Sequence, residues 1–216
     1  MTHHGFDSKR LMLVLESGES GAKHSFSVAG EALAAGCKFI QFREKSMGDR
    51  DRLALLVSIV NLARQYDASV FVNDRVDLAI LGEADGVHIG QDDIGVADAR
   101  RIMSACKGEH MLIGQSVHTV DQAKDSEARG AHYVGCGALY STATKADVTT
   151  MPLETLNSIA ESVCIPVYGI GGITVGRVGD VLEAGAFGVA VSSAIVFALD
   201  PGGATQEFLT AIDRFV

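Results

Sequence analysis

Eight short apolar runs, rich in β-branched residues, recur along this chain, each followed by a turn and then by a helical pattern. Few folds accept that alternation. Parallel strands cannot be joined by tight hairpins and need crossovers, which helices supply. The runs read as strands over Leu11 to Leu15, Cys37 to Phe42, Val70 to Val72, Asp85 to Ile89, Met111 to Gly114, Ala131 to Gly135, Ile165 to Ile170 and Ala186 to Val191. Helical spacing is expected over Val28 to Ala35, Asp49 to Tyr66, Val76 to Leu81, Val96 to Ala105, Val120 to Arg129, Pro152 to Ser162 and Val175 to Ala184. A last helix starts near Ser192, is interrupted at Pro201-Gly202-Gly203 and resumes to Phe215. The expected fold is α/β, a single (β/α)8 TIM barrel with parallel strands, occupying residues 1–216 as one domain with a flexible tail over Met1 to Lys9. A doubly wound open sheet is the alternative. The strand number and the lack of an early G-x-G-x-x-G favour the barrel.

Composition narrows the function classes. A formal net charge of −9 and the absence of a long basic stripe argue against a nucleic-acid binder. No apolar run approaches the roughly 18 residues of a membrane span, and the longest, Val189 to Leu199, is broken by Ser192 and Ser193. MTHHGFDSKR has no apolar core of the signal-peptide kind. The reading is a soluble cytoplasmic protein without membrane or nucleic-acid partners, and homo-oligomerisation stays open. Cys37, Cys106, Cys136 and Cys164 form no C-x-x-C, and three lie in or beside strands, so they read as buried structural thiols. His3-His4 belongs to the tail.

In such a barrel the chemistry sits at the C-terminal ends of the strands. After the second strand, alternation points Gln41, Arg43 and Lys45 the same way. An arginine fork and a lysine point charge together suit a diphosphate. After the third and fourth strands come Asn73-Asp74 and Gln91-Asp92-Asp93. Mg²⁺ binds few protein carboxylates and accepts phosphate oxygens, so Asp74 with either Asp92 or Asp93 fits it. Ser116, after the fifth strand, can hydrogen-bond a ligand. His88 reads equally as a core histidine or a ligand contact, and His118 has no evident role. Tyr140 to Lys145 places hydroxyls and an ammonium in one loop, a phosphate grip or lid. Gly169-Ile170-Gly171-Gly172 and Ser192-Ser193 follow the seventh and eighth strands, where backbone N–H groups often cradle a monophosphate. Two anion sites in one mouth point to group transfer with diphosphate leaving.

In order along the chain, QFREK, FVNDRVDLA, ADGVHIGQDD, GQSVHT, STATK, YGIGGIT and GVAVSSAI resemble the thiamine-phosphate synthase family, over about Leu11 to Ile195. The resemblance implies a transferase of thiamine biosynthesis. It would join a 4-amino-2-methylpyrimidin-5-ylmethyl diphosphate to a phosphoethyl thiazole, or its carboxylated form, by a dissociative route. It implies that Arg43, Lys45, Asn73 and Lys145 hold the diphosphate, and that Asp74 and Asp93 bind Mg²⁺. It also implies that Gln41 and Ser116 address the pyrimidine, with Ser116 joining Arg43, Lys45 and Lys145 as catalytic. Thr142 and Thr144 would face the thiazole and phosphate; Gly172, Ser192 and Ser193 would hold the monophosphate. The chain departs from the pattern at Gly137-Ala138, Ser141-Thr142 and Glu16-Ser17. A thiazole tautomerase on the same barrel, a non-catalytic binder of thiamine precursors and a sugar-phosphate epimerase are the alternatives. Retention of the cations and both aspartates favours the transferase.

Overall fold

The computed structural model describes residues 5–16, 21–141 and 150–215. Eight parallel strands close into a barrel in chain order: β1 (Leu11–Leu15), β2 (Phe39–Phe42), β3 (Ser69–Asn73), β4 (Gly86–Ile89), β5 (Leu112–Val117), β6 (Tyr133–Cys136), β7 (Val167–Ile170) and β8 (Gly188–Val191). Closure is made where Leu11 and Leu13 of β1 register with Val189 and Val191 of β8. Helices α1 (Gly21–Ala34), α2 (Asp49–Arg64), α3 (Val76–Leu81), α4 (Val96–Ala105), α5 (Val120–Ala128), α6 (Leu153–Ser162), α7 (Val178–Glu183), α8 (Ser193–Val196) and α9 (Pro201–Asp213) surround it. The expected TIM barrel is the observed fold.

Side-chain alternation divides the apolar residues into two packed layers. Leu11, Leu13, Leu15, Ile40 and Phe42 face outward into a core shared with α1 and α2. Met12, Val14, Phe39, Phe71, Tyr133, Tyr168 and Ala190 fill the barrel interior. The interior is held by edge-to-face rings, with centroids 4.9 Å apart for Phe39–Phe71, 5.6 Å for Phe39–Tyr133 and 5.4 Å for Tyr133–Tyr168. Such pairs are worth about 1 kcal/mol each beyond the area they bury.

Phe6 corrects the expectation of a free tail. Its ring is 4% exposed and lies 5.9 Å from Phe39 and 5.7 Å from Tyr133, plugging the N-terminal end of the barrel. His3 and His4 lie outside the described residues.

Other boundaries moved for identifiable reasons. Helix α1 starts at Gly21, seven positions before the expected Val28; its first turns bury only Ser25, so they carry no apolar stripe to read. Strand β5 runs on to Val117, placing Gln115 and Ser116 in the ladder opposite Val134 and Gly135 rather than in a loop. The Pro201-Gly202-Gly203 stretch starts α9 instead of interrupting a helix. Asp200 caps it, accepting from Gly203 N at 2.8 Å, and Pro201 occupies the first turn, where its missing N–H costs nothing. Thr119 caps α5 as expected, accepting from Gln122 N at 3.2 Å. Cys37 and Cys136 are buried, but Cys164 and Cys106 are exposed, against the expectation for Cys164. The turn ahead of β7 leaves its thiol outside the strand layer.

Candidate active site

A cavity of ≈ 340 Å³ opens at the C-terminal ends of the strands, in the size range of small-ligand sites. All eight strand ends contribute to its wall. Among the residues singled out from sequence, Gln41, Arg43, Asn73, Ser116, Gly172, Ser192 and Ser193 line it. Lys45, Asp74 and Asp93 are not part of its lining, whereas Asp92 is. Lys45 Nζ lies 3.0 Å from Asp74 Oδ2, so this cation and this carboxylate meet at the rim. Thr142, Thr144 and Lys145 lie outside the described residues.

The inward set on β2 follows from alternation. Phe39 fills the barrel, Gln41 stands one layer higher and is 3% exposed, and Arg43 emerges at the mouth. Arg43 Nη1 donates to Glu16 Oε2 at 2.5 Å, and Ser192 Oγ donates to Glu16 Oε1 at 3.1 Å. Glu16 therefore joins the ends of β2 and β8 across β1. Asp74 sits just beyond β3 in the left-handed region, with φ 64°, an uncommon conformation outside glycine that aspartate tolerates better than most. Its N–H donates to the His88 carbonyl at 2.8 Å, which fixes it against β4. Asp93 Oδ2 accepts from Gly90 N at 2.8 Å, closing the turn that carries Gln91 and Asp92.

Below the mouth lies a buried polar chain. Gln41 hydrogen-bonds the Tyr133 hydroxyl, which lies 2.9 Å from His88 Nδ1; His88 Nε2 lies 2.9 Å from Ser116 Oγ. Burial pushes the His88 pKa down to about 4, so its ring is neutral and carries one proton. A neutral ring donates at one of these two contacts and accepts at the other, so His88 ties Tyr133 to Ser116. His88 is a satisfied core histidine, and its edge also lines the cavity.

The depressed His88 pKa also sets a pH dependence. The unfolded chain takes up a proton below about 6.5 while the folded one does not until about 4, so stability present above 6.5 is lost as pH falls through that window. The full loss is about 3 kcal/mol. Urea unfolding at pH 7.5 and pH 5 should show a lower midpoint at pH 5, and His88→Gln should remove much of the difference.

Three lining residues were missed. Glu16 appeared only as a departure, Asp92 as the less favoured of two neighbours, and His118 without a role. His118 Nδ1 donates to the Gly137 carbonyl at 3.0 Å, bracing the end of β6. At the ends of β7 and β8, Gly172 has φ 63°, and a Cβ there would lie 2.5 Å from the Ser141 carbonyl oxygen. Arg177 donates to the Gly172 carbonyl at 2.7 Å and stacks over the Tyr140 ring at 4.2 Å. The glycine turn is thus pinned at the cavity wall, which Gly171 and Gly172 both line.

Comparison with known proteins adds the family. Residues 11–195 match the family described as thiamine monophosphate synthase. The chain belongs to that family. It is similar to the thiamine-phosphate synthase of Haloarcula marismortui, 38% identical over 206 residues that cover 94% of this chain and 96% of that protein. The thiamine-phosphate synthase of Haloquadratum walsbyi is 40% identical over 210 residues, covering 95% and 92%. A solved structure, the thiamine phosphate pyrophosphorylase of Pyrococcus furiosus, superposes with a TM-score of 0.88 at 34% identity, covering 98% of this chain and 100% of that one. Family and relatives support thiamine-phosphate synthase activity, a transferase reaction of thiamine biosynthesis. Among the described residues no helix is long and apolar enough to cross a membrane.

Proposed function

We propose that this chain, acting in the cytoplasm as one barrel domain, transfers the pyrimidinylmethyl group from its diphosphate to the nitrogen of a phosphoethyl thiazole. The observation that carries the proposal is the pairing of two anion-binding arrays in one cavity. Arg43 and Asn73 come from the ends of β2 and β3, and Gly172, Ser192 and Ser193 from the ends of β7 and β8. In the reaction the C–O bond to the diphosphate breaks with both electrons going to oxygen. The thiazole nitrogen lone pair then forms the new C–N bond. No proton must be moved and no enzyme nucleophile is required, which agrees with the elevated pKa of buried Cys37 and Cys136.

The chain's part is to stabilise leaving charge, align two rings and exclude water. Arg43, Lys45 and Lys145 supply positive charge to the diphosphate, with Asn73 donating. Gln41 and Ser116 hold the pyrimidine, the Ser116 hydroxyl being aimed by His88. The resemblance assigns Thr142 and Thr144, outside the described residues, to binding on the thiazole side.

Mg²⁺ fits the residues present. Among the described residues no cluster of three or more His, Cys, Asp or Glu could hold a metal on its own. Magnesium, however, needs only one or two carboxylates when phosphate oxygens complete its shell. Asp74 and Asp93 offer hard oxygens at the ends of adjacent strands. Mg²⁺ held there would supply positive charge to offset that of the leaving diphosphate.

Turnover of the two substrates to thiamine phosphate should require Mg²⁺. Asp74→Ala and Asp93→Ala should lower it about a hundredfold, as expected for lost stabilisation of a leaving anion, with the far-UV spectrum unchanged. Full activity and unchanged Mg²⁺ dependence in Asp93→Ala would remove that residue from the metal site. A folded protein that forms no product would overturn the function.

A further inference from the structure

Glu16 is a carboxylate inside a mouth read as binding two anions. It is not idle there. Strand order around the barrel runs β7, β8, β1, β2, β3, so Glu16, just beyond β1, stands between the monophosphate array and the diphosphate array. One carboxylate oxygen holds Arg43 at 2.5 Å and the other holds Ser192 at 3.1 Å. The Glu16 side chain is 15% exposed and that of Arg43 22%, so both contacts are largely shielded from water.

The two contacts have unequal consequences. Arg43 has five N–H donors, so a phosphate can dock on it before Glu16 has left. Ser192 has a single hydroxyl hydrogen, and while Glu16 accepts it, the hydroxyl cannot donate to a phosphate. A diphosphate arriving at Arg43 also brings negative charge against the Glu16 carboxylate. Repulsion and competition for the guanidinium both favour turning Glu16 away, and its carboxylate leaves Arg43 and Ser192 together. Glu16 lies beyond the last paired residue of β1, so its side chain can turn without breaking the ladder.

We propose that Glu16 is a positioning residue that couples the two anion sites: diphosphate binding at Arg43 releases the Ser192 hydroxyl to the thiazole monophosphate. The proposal rests on the two-site reading above. Two neighbouring anions alone would repel, so a rise in affinity for the second needs such a device. Linkage makes the effect reciprocal, each ligand tightening the other by the same factor.

Calorimetric titration with the phosphoethyl thiazole, with and without saturating magnesium diphosphate, measures the coupling. In the wild-type chain, diphosphate should tighten thiazole-phosphate binding about fivefold or more. In Glu16→Ala the thiazole phosphate should bind more tightly by itself, and diphosphate should no longer improve it. Glu16→Gln preserves volume while weakening both contacts and should fall between, which covers an alanine variant that folds poorly. Equal ratios in wild type and both variants, with both ligands bound, would overturn the coupling and leave the two sites standing. Failure of the wild-type chain to bind either ligand would overturn the coupling and the two-site reading together.

Discussion

Arg43→Ala should lower kcat/KM for the pyrimidine diphosphate at least about a hundredfold, with the barrel intact. The guanidinium stands at the third inward position of the β2 run, above Phe39 and Gln41, where the ladder fixes its direction. In the ligand-free chain Glu16 takes one of its nitrogens, which holds the fork in place until the diphosphate displaces the carboxylate. Removing it takes away a charge-assisted donor from the oxygen on which negative charge develops, so the loss should fall on kcat as well as KM. Arg43→Lys keeps the charge and loses the planar fork, and should recover only part of the activity. Steady-state kinetics on both variants, with circular dichroism as the folding control, decide the matter. Alanine activity within a few-fold of wild type would show that Arg43 does not hold the leaving group.

Gly114→Ala should be strongly destabilising for so small a substitution. A Cβ at Gly114 would lie 2.0 Å from Tyr133 Cζ and 2.5 Å from its hydroxyl. Neither side can give way easily. Gly114 is paired with His88 on one flank and Tyr133 on the other, and the Tyr133 ring is wedged among Phe6, Phe39, Phe71 and Tyr168. Overpacking of this kind costs about 3 kcal/mol. Displacing Tyr133 would also break its contact with His88 and so release the orientation of Ser116. The measurement is a chemical denaturation midpoint together with residual turnover. Wild-type stability in Gly114→Ala would mean that the ring has a second place to go.

The barrel was legible because strands and helices differ in period. Helices α3 and α4 begin and end where the apolar spacing places them, at Val76–Leu81 and Val96–Ala105. The same alternation places Gln41 and Arg43 on the inner face. Glu16 was not legible in this way. It stands at the start of a polar stretch, and its meaning comes from Arg43, 27 residues away, and Ser192, 176 residues away. No local pattern encodes such a meeting. Asp92 and Asp93 differ by a turn that Asp93 itself closes through Gly90, so spacing alone could not say which faced the cavity. Phe6 was missed because a lone aromatic in a polar segment carries no period, yet the barrel floor packs it against the Phe39 and Tyr133 rings. The Pro-Gly-Gly stretch was misread because each residue breaks a helix interior, whereas after an aspartate cap the same residues can start one.

The most direct test is phosphorus NMR of the purified chain incubated with the pyrimidine diphosphate, the phosphoethyl thiazole and Mg²⁺. Thiamine phosphate and free diphosphate should appear in equal amounts, and neither should form when one substrate is withheld. Both starting phosphates persisting unchanged beside a folded protein, or the thiazole changing while the pyrimidine diphosphate stays whole, would contradict the proposed transfer.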